Sequence, residues 1–243
     1  MATKTADVVV IGGGVNGASI AMHLAKLGAG RVVLIEKGGL ATGATGKSGA
    51  MVREHYLHPT LVRMAMEASE IFHNFDDAVG GDARFQQTGR LLMFPESERG
   101  AVEANVAMNR ELGVNIHTIT PDEIGELIPQ ASLDDISIGV YEPDSGYADP
   151  VATTYAFAAQ AEALGARILT HTEVTGIRVF AGRVAAVETR EGDIETHVAV
   201  NVAGAWSNLL GGPIGEVMPI TPTRVQMTHL RRPPALESLT MNV

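Results

Sequence analysis

A strand, a glycine-rich turn, a helix and a second strand follow one another near the start of the chain. Residues 8–11 are apolar and β-branched, which is typical of a parallel strand buried on both faces. The turn carries the spacing G-x-G-x-x-G at Gly12, Gly14 and Gly17. The pattern predicts a helix over 15–27 and a second buried strand over 32–35, which ends at Glu36.

Each part of this unit has a physical role in holding a dinucleotide. The first glycine permits a tight turn, the second lets the backbone approach a pyrophosphate, and the third lets the helix pack closely on the strand. The helix N-terminus directs free N–H groups and a positive dipole end at the phosphates. Glu36 lies where a carboxylate can accept hydrogen bonds from ribose hydroxyls. The pattern therefore favours dinucleotide binding over a glycine-rich turn in an unrelated α/β protein.

A second glycine-rich stretch, residues 37–49, follows Glu36 directly. It holds five glycines and three hydroxyl residues in thirteen positions, so it offers N–H and O–H donors along a flexible backbone. A mobile surface loop is one interpretation. Because the stretch begins at the predicted ribose carboxylate, we expect it to line the ligand. A nicotinamide cofactor does not usually need such a loop, whereas the longer FAD does, so the stretch favours FAD over NAD.

The composition excludes several other functions. The chain has 243 residues, 45% hydrophobic residues and a net charge of −10, and this acidic balance argues against a nucleic-acid partner. It has no cysteine, so disulfides, thiolate metal sites and a cysteine-linked flavin within the chain are excluded; we predict no metal site. No basic leader and no membrane-spanning apolar run is present, so a cytoplasmic protein without a membrane partner is expected.

The remaining pattern alternates helices and strands. Helices are predicted over 59–79, 96–113 and 150–164. A further short helix is predicted after a capping box that begins at Thr120, and it stops before Pro129. Strands are predicted over 116–118, 138–142, 167–170 and 219–230, with two short ones within 85–94. Three further strands, 173–180, 183–190 and 194–202, are joined by tight glycine turns and predict a β-meander.

This order predicts an α/β fold with two interleaved domains. A Rossmann-like FAD-binding domain with a β-meander is expected to comprise residues 1–80 and 145–215. An α+β substrate domain is expected to comprise residues 81–144 and 216–243.

Four stretches together resemble one known superfamily: VVIGGGVNGASIAMHLAKLG, LATGATGKSGAMVREHY, EPDSGYADP and NVAGAWS. They are similar to the D-amino-acid-oxidase-like FAD-dependent amine oxidoreductases, and within these to the branch of sarcosine oxidase β-subunit, glycine oxidase and dimethylglycine dehydrogenase. The resemblance covers nearly the whole chain in order. It implies that FAD accepts a hydride at N5 from a small amino acid or N-methylated amine, so that the C–N bond is oxidised to an imine.

The resemblance also implies which residues contact FAD. The glycine turn would hold the diphosphate, Glu36 the ribose, residues 42–49 the diphosphate and flavin, and Val174 and residues 203–206 the adenine half. For Trp206, a core aromatic is an equal alternative. The full set of implied cofactor residues is Ile11, Gly12, Gly14, Val15, Asn16, Gly17, Glu36, Lys37, Thr42, Gly43, Ala44, Thr45, Lys47, Ser48, Gly49, Ala50, Val174, Ala203, Gly204 and Trp206.

The resemblance places a substrate-binding group at Arg53, where sarcosine oxidases carry an arginine directed at the substrate carboxylate. A guanidinium can bind a carboxylate through two parallel hydrogen bonds; a surface arginine is the alternative. His55, Tyr56 and His58 are close in sequence, and each could line the flavin pocket or have a structural role. We take Arg53, His55 and Tyr56 as the candidate catalytic residues.

Two departures from the family pattern bear on the site. Lys47 stands where some relatives attach FAD through a histidine, so covalent attachment by that route is not predicted. Relatives also continue for well over a hundred residues, which contribute to the substrate sheet and the flavin site. We therefore expect a truncated chain, or a second subunit that completes the site.

Three functions stay open from the sequence. The first is the C–N oxidation above, with oxygen or a redox protein as the electron acceptor. The second is oxidation of a 2-hydroxy acid, for which His55 or His58 could act as the base. The third is a flavin-binding fragment or subunit that is inactive alone.

Overall fold

The computed structural model describes residues 4–226, 231, 233 and 234, and these residues form two compact units. The first unit contains residues 4–49, 79–83 and 149–226, and the second contains residues 50–78 and 84–148. Residues 50–78 thus belong to the second unit by their contacts, although the predicted FAD-binding segment 1–80 includes them. The assignment of a cofactor and a substrate role to whole domains stays a prediction.

The described residues contain short strands and seven α-helices. The strands are β1 (Val8–Ile11), β2 (Val32–Ile35), β3 (Met51–Val52), β4 (Gln86–Gln87), β5 (Arg90–Phe94), β6 (His117–Ile119), β7 (Ile138–Glu142), β8 (Gly146–Tyr147), β9 (Arg167–Leu169), β10 (Val174–Phe180), β11 (Arg183–Thr189), β12 (Ile194–Glu195) and β13 (Ala199–Asn201). The helices are α1 (Val15–Lys26), α2 (Pro59–His73), α3 (Phe75–Val79), α4 (Arg99–Glu111), α5 (Pro121–Leu127), α6 (Pro150–Ala163) and α7 (Ser207–Gly211). No helix among them is long and apolar enough to cross a membrane.

The first unit is built on a parallel sheet of order β13-β1-β2-β9. Every residue of β1 and β2 is buried, which explains their uninterrupted apolar sequence. Val9, Ile11, Val33 and Ile35 pack with Val187 and Ile194 of the meander on one face. The alternate residues point to the other face, and α1, which packs on α6, contacts both strands. The predicted Rossmann-like α/β architecture is confirmed.

The meander is shorter than predicted. Strands β10, β11 and β12 form an antiparallel sheet, but the predicted third strand, 194–202, is wrong because it divides into β12 and β13. Between them the Thr196 hydroxyl bonds the Val198 backbone at 3.1 and 3.2 Å and also reaches the Asp7 carbonyl at 3.3 Å. This turn ends the antiparallel pairing, and β13 then pairs in parallel with β1.

The second unit is centred on an antiparallel sheet of order β5-β7-β6. Leu92, Phe94, Ile138 and Val140 pack on one face against residues of α2 and α4. On the other face, Leu91 packs with Ile124 of α5 and its neighbours. A small antiparallel sheet of order β3-β8-β4 completes the unit.

Two further predictions differ from the structure. The single helix predicted over 59–79 is interrupted at Asn74, whose φ of −122° and ψ of 39° leave the helical region; its side-chain amide donates to the Glu70 carbonyl at 3.1 Å. The strand predicted over 219–230 is wrong for residues 219–226, which form no strand. Residues 227–230 lie outside the described residues. The capping box at Thr120 and the Asp149 cap of α6 are both present.

Candidate functional site

Gly12 and Gly17, the first and last glycines of the G-x-G-x-x-G spacing, allow backbone contacts that no larger residue would permit. Gly12 has a φ of +122°, and a Cβ placed on it would lie 2.5 Å from the Val202 carbonyl oxygen. A Cβ on Gly17 would lie 1.8 Å from the Gly12 carbonyl oxygen. These distances are well inside van der Waals contact, so both positions require glycine. The turn therefore brings the start of α1 close to the residues that follow β13.

Gly14 has a different environment. A Cβ on Gly14 would meet the Thr45 hydroxyl oxygen at 3.0 Å and otherwise only the Thr45 Cβ within 4 Å. Gly14 is also the N-cap of α1; it provides no side-chain cap, and the first turn of the helix contains no acidic residue. The Val15 N–H donates to the Thr45 hydroxyl at 3.1 Å. A helix N-terminus without an acidic residue in its first turn favours an anionic group such as a diphosphate.

Two backbone N–H groups fix the Glu36 carboxylate. Gly13 N–H donates to Oε2 at 2.7 Å and Gly38 N–H donates to Oε1 at 2.9 Å. A Cβ on Gly13 would lie 2.7 Å from the Glu36 Cβ, so this glycine, which the motif does not specify, is needed for the approach. Each carboxylate oxygen retains a lone pair that can accept a hydroxyl hydrogen bond.

The glycine-rich stretch after Glu36 is folded against the glycine turn. Ala41 N–H donates to the Gly13 carbonyl at 2.9 Å, and Gly46 N–H donates to the Ala41 carbonyl at 2.9 Å. Residues Thr45–Lys47 form a 3₁₀ turn. These contacts hold the hydroxyl of Thr45 at the start of α1, and the role of the stretch in lining the ligand stays a prediction.

The segment after β13 approaches the same turn. The Ala203 Cα would lie 3.3 Å from a Cβ on Gly12. The Lys37 ammonium lies 4.2 Å from the centroid of the Trp206 ring, a cation–π contact. Trp206 is 45% exposed, so it is not a core aromatic.

Of the predicted cofactor residues, six come together around the glycine turn: Gly12, Gly14, Gly17, Glu36, Thr45 and Ala203. Val174 is the first residue of β10, where it pairs with Thr189 and packs against the core between the sheets. Ala50 lies in the second unit with a φ of 47°, and its carbonyl accepts the Ala148 N–H at 3.0 Å. No group of three His, Cys, Asp or Glu side chains suited to a metal ion occurs in the described part of the chain.

The second unit holds the candidate catalytic residues in a segment without regular structure. The Arg53 guanidinium carbon lies 4.7 Å from the centroid of the Tyr56 ring, and both residues are half-buried. This cation–π contact restricts the positions that the guanidinium can occupy.

His55 belongs to a buried polar cluster. Its N–H donates to Glu142 Oε2 at 3.0 Å, its Nδ1 lies 3.7 Å from Glu142 Oε1, and its Nε2 forms a short hydrogen bond with the Asn105 side chain. Glu142 is 2% exposed and pairs with Arg90, whose Nη1 lies 3.0 Å from Oε1. Burial lowers the pKa of Arg90, and the neighbouring Glu142 carboxylate opposes that shift.

His58 has a structural role. It is the N-cap of α2, and its Nδ1 accepts the Thr60 N–H at 3.2 Å. An exposed capping imidazole whose Nδ1 already accepts a hydrogen bond is poorly suited to act as the base that oxidation of a 2-hydroxy acid would need.

Sequence reasoning missed the polar side chains of the buried polar cluster. Glu142 and Asn105 contact His55, Arg90 pairs with Glu142, and Asn109 bonds the Tyr56 backbone. A signal was present, because Arg90 and Glu142 each stand at one end of an otherwise apolar strand. Charged residues at such positions are seldom buried unless they are paired. The position of this ion pair becomes clear only from the strand pairing, which places Arg90 and Glu142 opposite each other.

The glycine turn, the carboxylate after β2 and the hydroxyl loop define an α/β protein that binds a dinucleotide cofactor. Residues 7–242 match the family model DAO, described as FAD dependent oxidoreductase. The chain therefore belongs to the DAO family of FAD-dependent oxidoreductases, and FAD is its cofactor.

Several proteins of known identity are similar to the chain. It is 33% identical to mitochondrial sarcosine dehydrogenase of Mus musculus over 89% of this chain and 24% of that protein. It is 28% identical to sarcosine oxidase subunit beta of Rhodobacter capsulatus over 92% of this chain and 55% of that protein. The crystal structure of L-proline dehydrogenase from P. horikoshii matches 87% of this chain and 56% of that chain, with 32% identity and a TM-score of 0.81. The chain thus spans about a quarter of its mitochondrial relative.

Proposed function

We propose that this chain provides the FAD site and a carboxylate-binding arginine of an enzyme that oxidises the C–N bond of a small amino acid or N-methylated amine. The observation that carries the proposal is the cation–π contact between Arg53 and Tyr56, with 4.7 Å between the guanidinium carbon and the ring centroid. A guanidinium held in place by such a contact can bind a substrate carboxylate through two parallel hydrogen bonds.

The residues around the glycine turn suit FAD. The N-terminus of α1 and the Thr45 hydroxyl would bind the diphosphate, and Glu36, fixed by Gly13 and Gly38, would accept ribose hydroxyls. Lys37 and Trp206 would lie beside the adenine half. When bound, FAD supplies the electron acceptor for oxidation of an amine to an imine, which water then hydrolyses.

In this proposal the chain's own residues contribute binding and orientation. Arg53 would hold the carboxylate and Tyr56 would keep Arg53 in place, so that the reacting C–H is presented in a fixed position. His55 is engaged by Glu142 and Asn105, which favours a structural role over that of a base. This favours an amine over a 2-hydroxy acid, because oxidation of the alcohol needs a base.

The names of the relatives support the substrate class and a multi-subunit assembly. Sarcosine and L-proline are both secondary amines that carry a carboxylate, as the proposal requires. The name sarcosine oxidase subunit beta supports a second subunit. The electron acceptor, oxygen or a redox protein, and the cytoplasmic location stay predictions.

Anaerobic reduction of the bound flavin tests the proposal. The FAD-loaded protein is mixed with sarcosine, dimethylglycine, glycine or L-proline, with the matching 2-hydroxy acids, and with methylamine as an amine that lacks a carboxylate. We expect the carboxylate amines to bleach the flavin and methylamine to be far slower. Bleaching by hydroxy acids alone would contradict the proposal, and a stable flavin with every compound would favour a subunit that is inactive alone.

A further inference from the structure

The segment that carries Arg53 and Tyr56 obtains its backbone hydrogen bonds from side chains of other elements. Residues 53–56 form neither helix nor strand. The N–H groups of Glu54 and His55 donate to Glu142 Oε2 at 3.3 and 3.0 Å. Backbone donors in a half-buried segment need such partners, because an unsatisfied buried N–H destabilises the fold.

The next residue along, Tyr56, is held in the same way by α4. Its carbonyl accepts the side-chain amides of Asn105 at 3.2 Å and Asn109 at 3.0 Å. Its N–H donates to Asn109 Oδ1 at 3.4 Å. The conformation of the segment is therefore set by β7 and α4.

The chemistry of Glu142 fits this role. Its carboxylate accepts hydrogen bonds from the Glu54 and His55 N–H groups, from the Ser145 hydroxyl at 3.0 Å and from Arg90 Nη1 at 3.0 Å. Only a carboxylate has enough acceptor sites for four donors. A buried carboxylate is costly unless it is paired and hydrogen-bonded, and Arg90 on the adjacent strand provides the opposite charge.

We propose that Glu142 is a positioning residue for substrate binding: it fixes the backbone on the C-terminal side of Arg53, and so the position of the guanidinium that lies over the Tyr56 ring. Arg90 balances its charge, and Asn105 and Asn109 hold the other end of the segment. The inference rests on the proposed function for the substrate role of Arg53, but the structural part can be tested independently.

Two double variants separate positioning from loss of the ion pair. R90M/E142Q removes both charges but keeps one side-chain oxygen that can accept from the Glu54 and His55 N–H groups. R90M/E142L removes the charges and the acceptor, and replacement of a buried ion pair by apolar residues is often tolerated by the fold. Both are compared with the unmodified protein, loaded with FAD.

Hydrogen exchange of the peptide containing residues 50–58 is the first measurement. We expect R90M/E142L to raise the exchange rate of this peptide at least tenfold, with peptides from β1 and α1 unchanged, and R90M/E142Q to raise it much less. Equal exchange of this peptide in all three proteins would overturn the inference, whether or not the proposed function holds.

Steady-state kinetics with sarcosine is the second measurement. We expect R90M/E142L to raise KM at least tenfold with a smaller change in kcat and unchanged FAD content, and R90M/E142Q to stay within about threefold of the unmodified KM. Loss of FAD in parallel with the rise in KM would reduce Glu142 to a general structural role and overturn the inference. Absence of flavin reduction in the unmodified protein would instead contradict the proposed function, and hydrogen exchange alone would then decide about Glu142.

A milder variant covers the case in which R90M/E142L does not fold. Asn105→Ala removes one of the two amides that bond the Tyr56 carbonyl and leaves Asn109 in place. We expect faster exchange of the same peptide and a KM raised several-fold; an unchanged peptide would overturn the inference here as well.

Discussion

Arg90 and Glu142 stand directly opposite each other in β5 and β7, and their side chains form a buried ion pair with Nη1 3.0 Å from Oε1. Removal of one partner leaves an uncompensated buried charge. We therefore predict that Glu142→Leu alone lowers the free energy of unfolding by about 3–5 kcal/mol. R90M/E142L should be more stable than that single variant. Denaturant unfolding of the two single variants and the double variant measures the coupling; strictly additive effects would contradict a direct pair.

Arg53→Ala is predicted to impair binding of carboxylate substrates far more than FAD binding. Hydrogen bonds to charged groups contribute about 1.5–3 kcal/mol, so kcat/KM for sarcosine should fall at least ~10-fold, and up to ~100-fold. The exposed Arg63 of α2 is the matched control, and Arg63→Ala should leave the kinetics unchanged. Equal loss of sarcosine turnover and FAD from the Arg53 variant would indicate a structural arginine.

Gly14→Val is predicted to abolish FAD binding. The new side chain would enter the space beside the Thr45 hydroxyl, which a Cβ on Gly14 already approaches to 3.0 Å, and would block the approach to the N-terminus of α1. Gly100→Val is the control, because Gly100 is exposed on α4 with nothing near its Cβ position. The measurement is the FAD content per chain by absorbance, with circular dichroism to verify folding. Stoichiometric FAD in the Gly14 variant would contradict the assignment of this turn.

Trp206 is the only tryptophan of the chain, so tryptophan fluorescence reports on the surroundings of this residue alone. If the segment after β13 lies beside FAD, binding of FAD to the apoprotein should quench the tryptophan emission strongly. Lys37→Met, which removes the cation over the ring, should weaken FAD binding only modestly, because such contacts contribute about 0.5–1 kcal/mol at exposed sites. Unchanged emission on FAD binding would place Trp206 away from the cofactor.

Glu54 gives a prediction of pH dependence. Burial raises the pKa of its carboxyl above the ordinary 4.5, and the neighbouring Asp144 and Glu142 charges add to the shift, whereas a hydrogen bond from Ser69 opposes it. Above pH 4.5 the folded chain therefore retains this proton more than the unfolded chain does. The contribution of this group to the free energy of unfolding is fully present below pH 4.5 and decreases as the pH rises through the raised pKa.

Glu54→Gln should remove the pH-dependent contribution of the Glu54 carboxyl to the free energy of unfolding. The variant should therefore gain stability relative to the unmodified protein as the pH rises from 4 towards 7. The exposed Glu67→Gln variant on α2 is the control. Denaturant unfolding at several pH values measures the difference, and parallel pH profiles for the Glu54 variant and the unmodified protein would contradict the prediction.

The local elements of the first unit could be predicted from the sequence because local rules determine them. Residues 8–36 gave the bounds of β1 and β2 and the start of α1, since buried parallel strands and the glycine turn have strong local signatures. The division of residues 194–202 into β12 and β13 could not be predicted, because both halves are compatible with a strand. Only the Thr196 side chain and the free edge of β1 decide that the chain changes sheets.

The segment that carries Arg53 and Tyr56 also could not be predicted fully from local sequence patterns. Arg53 was found through resemblance to a family, and no local pattern indicates that Glu142 and Asn109 hold the neighbouring backbone. Those contacts join residues more than fifty positions apart in a segment without periodicity. They become visible only when β7 and α4 are placed in three dimensions.

The pairing of Ile11 in β1 with Asn201 in β13 has a consequence for biosynthesis. The Val202 carbonyl, which a Cβ on Gly12 would approach to 2.5 Å, is translated long after the glycine turn that it packs against. Closure of so distant a pairing is slow. The nascent chain therefore exposes an unpaired edge of β1 until β13 has been made, and we expect cofactor capture to follow synthesis of β13 rather than guide the folding of residues 8–36.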